Sequence, residues 1–137
     1  MPINGLFNRT VGVLNKVLDL RHRNQQVISS NLANIDTPGY TPARLRFEED
    51  LQQALESPNQ AASPLHPNHF AIGGGSLEQV SGRIEHLVTN SGLGDQNGVN
   101  LDQEMVAQAE NQLYYEAATT MLNKKLGLLK YIVQSDR

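Results

Sequence analysis

Apolar residues recur along the first 35 positions at alternating steps of four and three. Phe7, Val11, Leu14, Leu18, Ile28, Leu32 and Ile35 share one register, whose two remaining places hold Arg21 and Gln25. A second stripe, Leu6, Val13, Val17, Leu20 and Val27, runs beside it. Together they make an apolar face of about three positions in seven, the pattern of an amphipathic helix that meets more than one partner helix. At ~1.5 Å per residue, 30 residues reach ~45 Å. The polar places at Arg21 and Gln25 either set register or face water, and the spacing admits both.

The last third carries a similar pattern. Leu101, Met105, Ala109, Leu113, Ala117 and Met121 recur every four residues, and Leu122, Leu126, Leu129 and Val133 continue at four, three and four. Asn100 suits the N-cap, and Asp102 and Glu104 suit the positive end of the helix dipole. Lys124, Lys125 and Lys130 suit the opposite end. Gly127 costs the helix ~1 kcal/mol relative to alanine. The spacing predicts a helix over 99–137, and two long terminal helices with heptad-like patterning predict an α-helical coiled coil.

The chain changes character between them. Phe47, Leu51 and Leu55 fall on one side of a short predicted helix. Residues 57–98 are rich in Ser, Pro, Asn and Gly, with Pro58, Pro64, Pro67 and the run Gly73-Gly74-Gly75. The expected fold is therefore all-α. It comprises an N-terminal helix (1–35), a turn and short helix (36–56), a largely irregular flexible loop (57–98) with a turn of structure at 77–87, and a C-terminal helix (99–137). All belong to one structural domain. About ten large apolar residues per helix, each worth ~1.5–3 kcal/mol when buried, exceed what two rods can cover alone, so stability is expected to depend on neighbouring subunits.

Charge sharpens this. Residues 1–46 hold Arg9, Lys16, Arg21, Arg23, Arg44 and Arg46 against Asp19 and Asp36, leaving −7 for the rest of a chain whose net charge is −3. Such opposed ends favour pairing between the two halves, within a chain or between neighbours. The absence of cysteine removes disulfides and thiolate chemistry. The N-terminus lacks a basic stretch followed by an unbroken apolar run, so no cleaved signal peptide is expected. The most apolar segment, Leu126–Val133, is short and holds Lys130, far from the ~20 residues of a membrane span.

Candidate chemistry is thin. His66-Pro67-Asn68-His69 lacks cysteine and near carboxylates to complete a metal shell. Aligning Gly98 with the sixth position of a calcium loop puts Asp95, Asn97 and Glu104 at positions three, five and twelve, but Leu93 occupies the obligatory first position. Gly73-Gly74-Gly75-Ser76 lacks the lysine of a phosphate loop, and no G-x-S-x-G elbow exists. Arg21, Arg23, Arg44 and Arg46 are too sparse in an acidic chain for nucleic acid. The expectation is a non-enzymatic protein with no cofactor, metal, small-molecule substrate or nucleic-acid partner.

One segment, Ser30-Asn31-Leu32-Ala33-Asn34-Ile35-Asp36-Thr37-Pro38-Gly39-Tyr40, ends the first helix and turns the chain. Its asparagines suit helix ends, and Thr37 precedes a proline. Pro38-Gly39 is the recipe for a type II turn. Only Tyr40, at the exit, is left without a local reason.

This segment resembles the N-terminal motif shared by the axial proteins of the bacterial flagellum. Gly98-Val99-Asn100-Leu101-Asp102-Gln103-Glu104-Met105 resembles the same family's entry into its C-terminal helix, although Asp95-Gln96-Asn97-Gly98 departs from the family's Asp-Gly-Asn. The short length, the uninterrupted Thr37-Pro38-Gly39-Tyr40 and Asn111-Gln112-Leu113-Tyr114-Tyr115-Glu116-Ala117-Ala118 are most similar to the proximal, B-type members of the flagellar basal body rod family. The resemblance covers roughly 1–50 and 94–135.

It implies a structural subunit of the periplasmic rod, the motor's drive shaft, exported without a cleaved signal peptide and ordering its helices on assembly. Implied partners are itself, other rod subunits and export-gate or membrane-ring components. It assigns an assembly motif to Asn31, Leu32, Ala33, Asn34, Thr37, Pro38, Gly39 and Tyr40. Helix packing within and between subunits is expected from Phe7, Val11, Leu14, Leu18, Ile28, Leu32, Met105, Ala109, Leu113, Leu122, Leu126 and Leu129. Three alternatives stand beside it: another short rod subunit, a helical-hairpin adaptor with an unrelated partner, and a small metal enzyme using His66, His69 and Glu104.

Overall fold

The computed structural model describes residues 3–56, 77–87 and 98–135. Helix α1 spans Ile3–Ala33, strand β1 Ala43–Arg46, helix α2 Glu48–Glu56, a single 3-10 turn Leu77–Gln79, strand β2 Arg83–His86 and helix α3 Leu101–Ser135. Described side chains begin at Asn8 and end at Gln134, so Leu6 and Phe7 lie outside them. The metal candidates His66 and His69, the run Gly73–Gly75 and residues 93–97 of the calcium-loop alignment also fall outside the described residues.

The long terminal helices pack against each other and run antiparallel: Asn31 of α1 reaches Glu104 of α3, and Asn24, seven residues earlier, reaches Asn111, seven residues later. Helix α3 starts where expected, with the Asn100 Oδ1 accepting from the Gln103 N–H at 3.2 Å. Helix α2 forms where a short helix is predicted, but it buries Ala54 and leaves Leu55 exposed. Glu48, Glu49 and Asp50 occupy its first turn, where the dipole favours negative charge.

The fold departs from all-α in one respect. β1 and β2 form an antiparallel two-stranded sheet with Leu45 opposite Ile84 and Arg44 opposite Glu85. The pairing extends one bond further, from the Leu87 N–H to the Pro42 carbonyl at 2.9 Å. On sequence alone 83–86 falls within a loop that carries a turn of structure, and here it is a strand. All four of its side chains are exposed, so it carries none of the apolar alternation by which a strand shows itself. β1 does alternate, with Ala43 and Leu45 buried and Arg46 exposed, but four residues are too few to stand out.

The apolar core gathers Leu20, Leu45, Phe47, Ala54 and Val80, with Val27 and Leu51 packed on it. It lies where the second stripe of α1 meets the sheet and α2. Gly82 has φ +73°, and a Cβ there would come within 3.0 Å of Leu45 Cδ1, so the approach to β2 requires glycine. Three basic side chains of α1 bind the middle segment. Arg9, Lys16 and Arg23, spaced by seven, donate to the carbonyls of Leu55, Glu78 and Ser81 and tie the middle segment to one row of the helix.

Candidate functional site: a polar seam and its turn

The motif segment folds into one hydrogen-bonded unit. Helix α1 ends with the Asn34 side chain donating to the Ser30 carbonyl at 2.8 Å, and the Thr37 hydroxyl donates to Asn34 Oδ1 at 3.2 Å. Thr37-Pro38-Gly39-Tyr40 is a closed turn, with the Tyr40 N–H donating to the Thr37 carbonyl at 3.2 Å and Gly39 at φ +75°. Proline at the second place and a positive-φ glycine at the third make it type II.

The turn aims Tyr40 back at its own helix. The Tyr40 hydroxyl donates to Asn31 Oδ1 at 3.2 Å and lies 3.3 Å from the Ser30 hydroxyl. Asn31, with none of its surface exposed, is the hub. Its Oδ1 also accepts from the Ala43 N–H at 3.0 Å, and its Nδ2 donates to the Ala43 carbonyl at 2.8 Å. The carboxamide therefore binds both backbone groups of one β1 residue, as a neighbouring strand would. The remaining Nδ2 proton goes to Glu104 Oε2 at 3.1 Å. Two donors and two acceptor lone pairs are all used.

Glu104, 1% exposed, is the α3 half of the hub. Arg44 of β1 binds it through both guanidinium ends, Nη1 to Oε2 and Nη2 to Oε1, each at 2.7 Å. This fork geometry is what a buried carboxylate needs to offset its lost hydration. The first turn of α3 adds a favourable dipole. Glu104 is thus a structural ion-pair partner; among the described residues no group of three or more His, Asp or Glu side chains is placed to hold a metal.

A second polar layer lies one heptad away. Buried Asn111 accepts from Asn24 Nδ2 at 3.0 Å and donates to the Arg21 carbonyl at 2.9 Å and to Gln25 Oε1 at 3.2 Å. Arg21 itself is held between two rings, its guanidinium carbon 4.8 Å from the Phe47 centroid and 4.5 Å from that of Tyr114, with Glu48 Oε1 3.4 Å from Nη1. Its Nε is buried without a hydrogen-bond partner, which the two stacked faces partly offset.

The apolar positions read as packing residues divide by helix. On α1, Ile28 is buried and Val11, Leu14, Leu18 and Leu32 are half-buried. On α3, Leu122 is half-buried, while Met105, Ala109, Leu113, Leu126 and Leu129 are exposed. Within one chain the α1-facing side of α3 is made by Glu104, Asn111 and Ala118, all buried. Hydrophobic spacing marks the apolar ridge and is silent on this polar one. The signal that separates them is the seven-residue recurrence of Asn24 and Asn31 against Glu104 and Asn111, amide and acid side chains in step along two long helices.

A family model described as "Flagella basal body rod protein" matches residues 18–41, the part of α1 that carries both polar layers together with the type II turn. The chain is similar to the flagellar basal body rod protein FlgB of Borreliella burgdorferi, at 31% identity across 84% of this chain and 88% of the relative. For FlgB of Bacillus subtilis the identity is 30%, across 93% and 95%. For FlgB of Aeromonas hydrophila it is 29%, across 90% and 92%.

Proposed function

We propose that this chain, which belongs to the FlgB family of flagellar basal body rod proteins, joins its neighbours in the rod through the far side of α3. Membership makes it a structural, non-enzymatic subunit of the bacterial flagellar basal body rod. No helix among the described residues is long and apolar enough to cross a membrane. The finer reading, a proximal-rod subunit that packs by coiled-coil contacts of its terminal helices, is our own.

The observation that carries it is the uncovered apolar ridge of α3. Met105, Val106 and Leu113 expose more than half their surface, on the side of the helix turned away from α1. Patches of this kind mark contact with other proteins. The outward side of α1 is polar instead, with Asn8, Asn15, Asp19, His22, Gln26 and Ser29 exposed. A hairpin with unlike backs is suited to heterologous contacts, which repeat without closing and generate a helical tube. The turn from Asn31 to Tyr40 would fix how β1 and α2 are presented to those neighbours.

The test is Leu113→Glu in the full chain. The expected result is unchanged helicity by circular dichroism, with the variant absent from isolated basal bodies and its host non-motile. Normal incorporation of the variant would remove this face from the interface.

A further inference from the structure

The two polar layers of the seam lie on the less apolar side of α3. At about 100° per residue, Ala109 and Leu113 lie roughly 160° around the helix from Asn111. There Met105, Ala109, Leu113 and Ala117 form an apolar ridge flanked by Asp102, Glu116 and Thr120, yet α1 binds Glu104 and Asn111 instead. Apolar burial is non-directional and does not choose between faces or registers of similar area. Buried amides and ion pairs do choose, because a misplaced one is left unsatisfied at ~1–3 kcal/mol each.

We infer that Asn24–Asn111 and Asn31–Glu104–Arg44 together form a register lock, which selects one face and one axial setting of α3 on α1 and keeps the apolar ridge free. In the observed setting the layers sit seven residues apart on both helices, so both close at once. Sliding α3 by one heptad in one direction brings Ala118 level with Asn24 and moves Glu104 beyond Ala33, the end of α1. Sliding it the other way sets Asn111 level with Val17, which has no polar side-chain atom. The first slip parts Glu104 from Asn31 and Arg44 and leaves Asn24 opposite an alanine, and the second leaves buried Asn111 without an amide partner. Arg44 adds a third element to the lock, because β1 can reach Glu104 only when α3 begins beside the turn. This also assigns Arg21 and Gln25, the polar interruptions of the α1 stripe: their carbonyl and carboxamide complete the Asn111 layer. The inference concerns pairing within one chain and does not rest on incorporation into the rod.

The chain contains no cysteine, so Asp19→Cys and Lys130→Cys, both at exposed positions and offset along the helix axis, accept a pair of spin labels without background. The parent should give one narrow distance distribution. Adding Asn24→Leu with Asn111→Leu should preserve helicity and introduce a second component from chains slipped by about 10 Å, seven residues at ~1.5 Å each. A single parental distance in this variant overturns the inference. So does loss of helicity, which would make the layer a source of stability instead of a selector. A second variant decides independently: Asn111→Ala with Ala118→Asn offers Asn24 its partner one heptad later. It should add the slipped component, and an unshifted distribution refutes the lock.

Discussion

Asn31 and Glu104 lie 73 positions apart in sequence and 3.1 Å apart in space, and both are buried. Through them the end of α1, the start of β1 and the start of α3 meet at one point. Removing the carboxamide by Asn31→Ala strands the Ala43 N–H and carbonyl and removes a donor from a buried carboxylate. The expected loss is about 2–3 kcal/mol, as for buried groups left unsatisfied. Urea unfolding of the full chain, followed by far-ultraviolet circular dichroism, measures it.

Glu104 and Arg44 predict an asymmetry. Arg44→Ala leaves a carboxylate buried with only the Asn31 amide for company, and breaking such a pair costs about 3–5 kcal/mol. Arg44→Lys recovers only part of this, because an ammonium cannot make the two-pronged contact. Arg44→Met combined with Glu104→Leu removes both charges and should be more stable than Arg44→Ala alone. A double variant less stable than the single one would mean the ion pair contributes more than its desolvation costs. The same unfolding assay separates these outcomes.

Much of this was legible in the sequence, and the part that was not has a physical reason. The 3.6-residue period carried α1 and α3, Asn100 announced the start of α3, and Pro38-Gly39 specified its turn from local backbone preferences. The β1–β2 pairing is long-range, Ala43 with His86, and no local pattern in Arg83-Ile84-Glu85-His86 reports it. The polar side of α3 that meets α1 is not legible in hydrophobic periodicity, which scores Met105 and Leu113 above Glu104 and Asn111. A helix with two usable faces is decided by polar partners elsewhere in the chain. Tyr40 had no local explanation because its partner, Asn31, is a buried side chain and not a turn residue.

Two glycines should respond unequally to alanine. Gly39 at φ +75° faces open space, so Gly39→Ala should cost only the left-handed backbone term, about 1–2 kcal/mol. Gly82 at φ +73° has the same backbone demand, and its added methyl would also press on Leu45 Cδ1 at 3.0 Å. Gly82→Ala should therefore be the more destabilising of the two. Equal unfolding midpoints would show that Leu45 moves aside at no cost.

Tyr40 separates the two tasks of the motif segment. Its hydroxyl is one of two donors to Asn31 Oδ1, and the Ala43 N–H remains when it is removed. Tyr40→Phe should therefore cost about 1 kcal/mol, the net worth of one hydrogen bond, and leave the ring and the type II turn in position. Tyr40→Ala removes the half-buried ring as well, freeing the turn exit that leads into β1. If the segment acts in the rod by presenting β1 and α2 in a fixed pose, motility should survive the first change and fail with the second. Hosts carrying each variant, compared on soft agar beside the unfolding curves of the purified chains, test this. Loss of motility in Tyr40→Phe with an intact fold would instead mean that the hydroxyl is read directly by a neighbouring subunit.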